Sequence, residues 1–178
     1  QKFKASTDPY NRIWQSTIVY YKNYATLPRM CMLMSTAVSL HETACLADPN
    51  DVHIPFSTYS MSFNLAHMAG GWDGDVIAED WHMLIKCLFE SKGQVSVEPI
   101  PLPMLCSTVD GYWDRFTQSK RHAWGIAEIS YFMDRLWHMF IHGDTSMLNF
   151  KILRYFVKMM NIHTFASVNI VVMILAQL

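Results

Sequence analysis

The sequence predicts a helix-rich α+β fold, and three observations carry that prediction. Residues 10–46, 79–93 and 108–140 place apolar side chains at spacings that suit helices. QVSVEPIPLPML at 94–105 is held extended by prolines at alternate positions. FSTYSMSFNLAHM at 56–68 supplies a second short strand candidate.

Residues 10–46 contain no glycine and one proline, Pro28, and their mixed apolar spacing predicts two helices broken near TLPRM. LADPNDVHIP, rich in Asp, Asn and Pro, is a loop. FSTYSMSFNLAHM alternates small polar and aromatic residues before turning apolar. It is either a strand leading into a helix or a helix begun at a Ser/Thr cap. AGGWDGD must turn sharply, because paired glycines reach backbone angles closed to other residues. EDWHMLIKCLFESKG then sets apolar residues at 81, 84, 85, 88 and 89, one helix face, and stops at Lys92-Gly93. After the proline-bounded strand, helix resumes over 108–140, with Arg115, Lys120 and Arg121 in its first turns.

LNFKILRYFVKMM places Lys151, Arg154 and Lys158 ahead of IHTFASVNIVVMILAQL, a 17-residue run without formal charge while His163 is neutral. A bilayer needs roughly 20 such residues, so the run is expected to be a truncated membrane span with its basic flank in the cytoplasm. There is no internal repeat or low-complexity segment.

With 178 residues the chain is one domain or a piece of a larger one. Its 51% hydrophobic residues and 13 methionines exclude disorder and suggest a surface that meets lipid or a partner. A net charge of -1 supplies no field to gather nucleic acid. Cys31, Cys45, Cys87 and Cys106 form no CxxC pair, which favours reduced thiols in a cytosolic setting over a disulfide frame or zinc cluster. No signal-peptide pattern opens the chain.

Three constellations bear on chemistry. Glu79 and Asp80 at a helix start are ordinary caps that complement the dipole; alternatively, a glycine-rich turn feeding a helix presents one of them to a substrate hydroxyl. QSKRHAWG clusters Gln118, Lys120, Arg121, His122 and Trp124: either a solvated basic helix face, or cations for a diphosphate beside an indole for a sugar ring. His82, His122, His138 and His142 raise the question of a metal, but no HExxH or comparable acidic partner accompanies them. No GxSxG elbow marks a serine nucleophile.

Taken in order, FSTYSMSFNLAHMAGGWDGDVIAEDWHMLIKCLF, the proline-rich strand and YWDRFTQSKRHAWG resemble the C-terminal half of family 2-like membrane glycosyltransferases, relatives of the cellulose, chitin and hyaluronan synthases. Glu79-Asp80 is similar to the family's TED or EDxH motif, with Ala78 where Thr is common and His82 as the His. The resemblance implies that Asp80 is the general base and Glu79 its structural companion. Near its reference pKa of about 4 such a carboxylate is ionised at neutral pH, as a base must be. QSKRH is similar to the QxxRW signature at Gln118 and Arg121, which implies contact with substrate and diphosphate; His122 replaces the Trp, and Trp124 follows two residues later.

The family's DxD motif is not found upstream. The resemblance therefore implies a fragment that starts after the donor-binding half, with Mg or Mn held outside it and no metal ligands within. It implies residues 1–135 as the C-terminal part of a GT-A, Rossmann-like catalytic domain, 136–160 as interfacial helices and 161–178 as the start of a transmembrane helix. The expected function is inverting transfer from a nucleotide-sugar donor to a glycan or lipid acceptor, on the cytoplasmic side of a multi-pass membrane protein. The rival expectations are a non-catalytic membrane-associated interaction protein or inactive fragment that keeps the fold, and a small Met-rich helical membrane-interface module with no enzymatic ancestry.

Overall fold

A computed structural model describes residues 8–142 and 150–175. Three strands form one sheet in the order β2-β1-β3: β1 (Arg12–Val19) in the centre, β2 (Tyr59–Met61) antiparallel to it and β3 (Ser96–Leu105) parallel to it. Six α-helices accompany the sheet among the described residues: α1 (Arg29–Ala47), α2 (Phe63–Met68), α3 (Glu79–Glu90), α4 (Tyr112–Ala123), α5 (Ala127–Ile141) and α6 (Phe150–Leu175). The helix-rich α+β expectation holds at this level, as a small mixed sheet with helices around it.

Of the two helices expected on either side of a break near TLPRM, the first is the strand β1 and the second is α1. RIWQSTIV is rich in β-branched and aromatic side chains, and pairing on both edges buries Ile13, Trp14, Gln15 and Ile18. A sheet centre overrides the loose helical spacing there. The expected helix over 108–140 is divided by a 3-10 turn at Trp124–Ile126, where Gly125 breaks the regular spacing. FSTYSMSFNLAHM satisfies both readings: β2 runs into α2, and the Ser62 hydroxyl accepts the Leu65 N–H at 3.1 Å as an N-cap.

β3 is an edge strand. Alternate residues direct their N–H groups to the same side, so Pro99, Pro101 and Pro103 remove three donors from the outer edge and blunt it against further pairing.

The core gathers around α3. Its Trp81, Met83, Leu84, Ile85, Cys87, Leu88 and Phe89 are all buried, against Ile13 and Val97 of the sheet, Phe132 of α5 and Ile152, Tyr155 and Met159 of α6. A helix apolar on most of its circumference belongs inside a domain. It stops where the sequence indicates: Lys92 and Gly93 take left-handed angles (φ 54° and 76°), and the Gly93 N–H reaches the Leu88 carbonyl at 2.8 Å.

α1 is built the other way round. It sets Ser35, Ser39 and Glu42 toward the sheet, where the Ser39 hydroxyl accepts the Tyr20 N–H at 3.1 Å and Glu42 meets the Gln15 amide at 3.4 Å. Burial pushes the Glu42 carboxyl up to about 7. Its outer face carries Met30, Leu33, Val38 and Leu40. α1 is also the one helix among the described residues long and apolar enough to cross a membrane. With its polar stripe bonded to β1, we read it as a helix of the domain. All four cysteines are free.

Candidate active site

Both acids of the ED pair fall in the first turn of α3, where orphan N–H groups and the helix dipole favour negative charge. Ala78 at the cap position offers no side-chain bond, and Asp80 Oδ1 instead accepts the Trp81 N–H at 2.8 Å. Glu79 is exposed and Asp80 half-buried. Burial pushes the Asp80 carboxyl up to about 6; the charges of Glu79 and Glu128 push the same way, and the bond from the Trp81 N–H opposes them. The ordinary value near 4 expected from the sequence therefore does not hold. A carboxylate titrating near 6 is still about tenfold more ionised than protonated at pH 7, and it binds a proton more firmly than an ordinary aspartate.

Beside Asp80 stands a charged relay. His82 Nε2 lies 2.9 Å from Asp73 Oδ2, and its Nδ1 lies 2.6 Å from Glu128 Oε2. A neutral imidazole has one donor, so either the ring carries both protons or Glu128 brings the second. Burial pushes the Glu128 carboxyl up against the opposing pull of His82. Asp73 is held below the usual carboxylate range, first by the bond from Lys86 and then by His82. Lys86 Nζ spans Asp73 Oδ2 at 2.8 Å and the Gly71 carbonyl at 2.7 Å. Tyr131 stacks on the His82 ring with centroids 4.2 Å apart. The glycine-rich turn, α3 and α5 are thus latched together around one imidazole.

The RHAWG segment reaches this region through its glycine. Gly125 is buried, and a Cβ built on it would lie 3.4 Å from His163 and 4.0 Å from the Ala78 Cβ. That places the 3-10 turn against the residue preceding Glu79 and against α6, where His163 also meets Trp81 edge-on at 5.2 Å. The remaining motif residues are elsewhere. Gln118 accepts a bond from Arg115 Nη1 at 2.7 Å, while Arg121, His122 and Trp124 are exposed on or just after α4, a helix that buries no residue. Among the described residues, no hydrogen bond or ion pair joins Gln118, Arg121, His122 or Trp124 to Asp80 or His82.

Asp73, Lys86 and Glu128 were not singled out in the sequence. Lys86 stands four residues after His82 on the polar side of an otherwise apolar helix, and that spacing is a legible sign. Glu128 is a lone acid in the apolar run GIAEISYF, but nothing in the sequence names its partner.

A divalent metal finds no set of ligands here. The one D-x-D spacing in the chain is Asp73-Gly74-Asp75, and Asp73 is already taken by Lys86 and His82. Among the described residues no group of three His, Cys, Asp or Glu side chains is placed to hold an ion. His138 and His142 stack on each other with centroids 4.0 Å apart.

No curated protein and no solved structure matches the chain. A family model does: Glycosyl transferase family group 2 matches residues 9–178, a span that contains the turn, the ED pair, the relay and the RHAWG segment. The chain belongs to that glycosyltransferase family.

Proposed function

We propose that this chain is the acceptor-side part of an inverting, nucleotide-sugar-dependent glycosyltransferase, with Asp80 as its general base and a glycan or lipid as its acceptor. The observation that carries the reading is the half-buried Asp80 carboxylate at the start of α3, titrating near 6 beside a turn clamped by Lys86 and His82. Such a group is ionised at neutral pH, and a proton-accepting strength close to the working pH is what general-base catalysis requires.

In the transfer, the acceptor hydroxyl gives its proton to Asp80 as its oxygen bonds to the anomeric carbon. The bond from that carbon to the diphosphate oxygen breaks in the same step, with inversion, and the electron pair leaves on the diphosphate. Glu79 supports the helix start. His82 fixes the turn and α5 around the base. Gln118, Arg121, His122 and Trp124 serve the substrate and its diphosphate once α4 is covered. The donor and its Mg or Mn are held, on this reading, by residues outside the chain.

The same reading places the protein in a membrane as a multi-pass protein, with the catalytic part cytoplasmic and residues 161–178 beginning a span. The surface of the last helices supports it. Trp113, Phe116, Trp137, Phe140, Ile141 and Phe150 are all exposed, as aromatic and aliphatic side chains are where a protein meets a lipid interface.

The test is Asp80→Asn in the full-length protein. Sugar transfer is lost while expression and nucleotide binding persist; retained transfer removes Asp80 as base. A DxD about 100 residues before Asp80, among alternating strands and helices, is expected in the intact protein.

A further inference from the structure

Trp72 is the least explained side chain near Asp80. It lies in the glycine-rich turn, 55% exposed, yet its position is fixed from three sides. Its indole N–H donates to the Tyr59 hydroxyl at 2.7 Å. The residue before it, Gly71, has its carbonyl bound by Lys86 at 2.7 Å, and the residue after it, Asp73, is bound by Lys86 at 2.8 Å and His82 at 2.9 Å. Gly70 and Gly71 hold left-handed angles, φ 77° and 76°, that let the chain turn back to this clamp.

An exposed tryptophan on an ordinary surface loop is free to swing. Here the ring's one polar atom is satisfied inward, and the backbone on both flanks is anchored to α3. What faces outward is a flat apolar ring. Its location is set on one side by Tyr59, which packs against the core cluster that contains Trp81, the residue after Asp80. On the other side Asp73, the next residue in the chain, bonds His82, two residues beyond Asp80.

We propose that Trp72 is the stacking platform for the sugar ring of the acceptor, set beside Asp80 so that one hydroxyl of that ring meets the carboxylate. The C–H face of a pyranose is apolar and packs on an indole, and a platform whose ordering cost is met before binding loses little entropy when the ring arrives. The inference rests on the transferase reading above, and its partner is a pyranoside.

The experiment uses the full-length protein in its native membranes. Release of nucleoside diphosphate from uridine- and guanosine-diphosphate sugars is followed while octyl β-glucoside is titrated as acceptor probe. Trp72→Ala is expected to raise the KM for the glucoside about tenfold or more, with kcat and donor KM within about twofold of wild type. Trp72→Phe, which keeps a ring, stays within about threefold. Tyr59→Phe, which keeps the indole and removes its anchor, gives an intermediate rise and covers the case in which Trp72→Ala fails to fold. An unchanged acceptor KM in Trp72→Ala, a change in donor KM instead, or a Phe variant as impaired as Ala overturns the platform and leaves the transferase reading standing. No glucoside-dependent release by wild type with any donor overturns the platform as well. Absence of sugar transfer to endogenous membrane acceptors in that preparation is the separate result that removes the transferase reading itself.

Discussion

α3 and α4 are each 12 residues long, and each carries one of the two segments that resemble family motifs, yet the domain treats them in opposite ways. α3 buries seven residues and its polar face is tied by Lys86 and His82 to the preceding turn and to α5. α4 buries none, and Phe116 on it is 62% exposed. The ED pair is thus held in place by the described chain itself. The QSKRH segment stands on a helix that buries no residue among the described residues. On the reading proposed above, that difference separates an acceptor side held by the described residues from a leaving-group side that lies exposed among them.

The largest expected effect tests the packing half of this contrast. Leu84→Ala in α3 loses about 3 kcal/mol of unfolding free energy, because a fully buried leucine leaves a cavity, whereas Phe116→Ala in α4 changes stability by less than about 0.5 kcal/mol. Equal losses in denaturant melts of the intact protein would erase the distinction between the two helices.

Next comes the relay. Glu128→Ala removes one partner of a mostly buried pair and leaves His82 Nδ1 facing a void, which costs about 2 to 3 kcal/mol. Glu128→Gln keeps an acceptor and recovers part of that loss. The melting temperatures of the two variants check the order.

Asp80→Asn is expected to stabilise the protein while abolishing transfer. The folded-state pKa of Asp80 is raised from 3.8 to about 6, so the native state binds the proton more tightly than the unfolded chain does. Ionising the group in the fold is therefore a penalty: absent below about pH 4, growing between about pH 4 and 6, and present in full above. At pH 8 the Asn variant gains about 1 to 3 kcal/mol after allowance for solvent screening of a half-buried group, and the gain fades in acid. A gain that is independent of pH would show that the carboxylate does not carry it.

The smallest stability effect belongs to α4. Arg121→Ala, at an exposed position, and Gln118→Ala, at a partly buried one whose bond from Arg115 stays within α4, leave the melting temperature within about 1 °C, while transfer falls if these groups meet the diphosphate. Melting and transfer assays on the same preparations separate the two consequences. A large stability loss would mean that α4 is packed in the intact protein by more than its substrate.

Much of α3 was legible beforehand. Its apolar spacing, its acids at the first turn and its stop at Lys92-Gly93 are local features, and local features survive folding because capping and helix periodicity act within a few residues. β1 was not legible. Its spacing allowed a helix, and only strands from residues 59–61 and 96–105 on either side decide that RIWQSTIV is extended. The relay was half legible: His82 and Lys86 share one helix face in any helical reading, but Asp73 lies nine residues before His82 and Glu128 forty-six after it.

By itself the sequence determined the resemblance to the family, the helix that bears Asp80 and the glycine turn before it, because each of these follows from residues adjacent in the chain. Tertiary structure alone decided that Asp80 titrates near 6, that Gly125 rides against Ala78, and that Trp72 is clamped rather than loose. The physical reason is common to all three. Burial, close approach and a shared proton depend on what the fold brings alongside, and a single sequence does not record the distance between residues far apart along it.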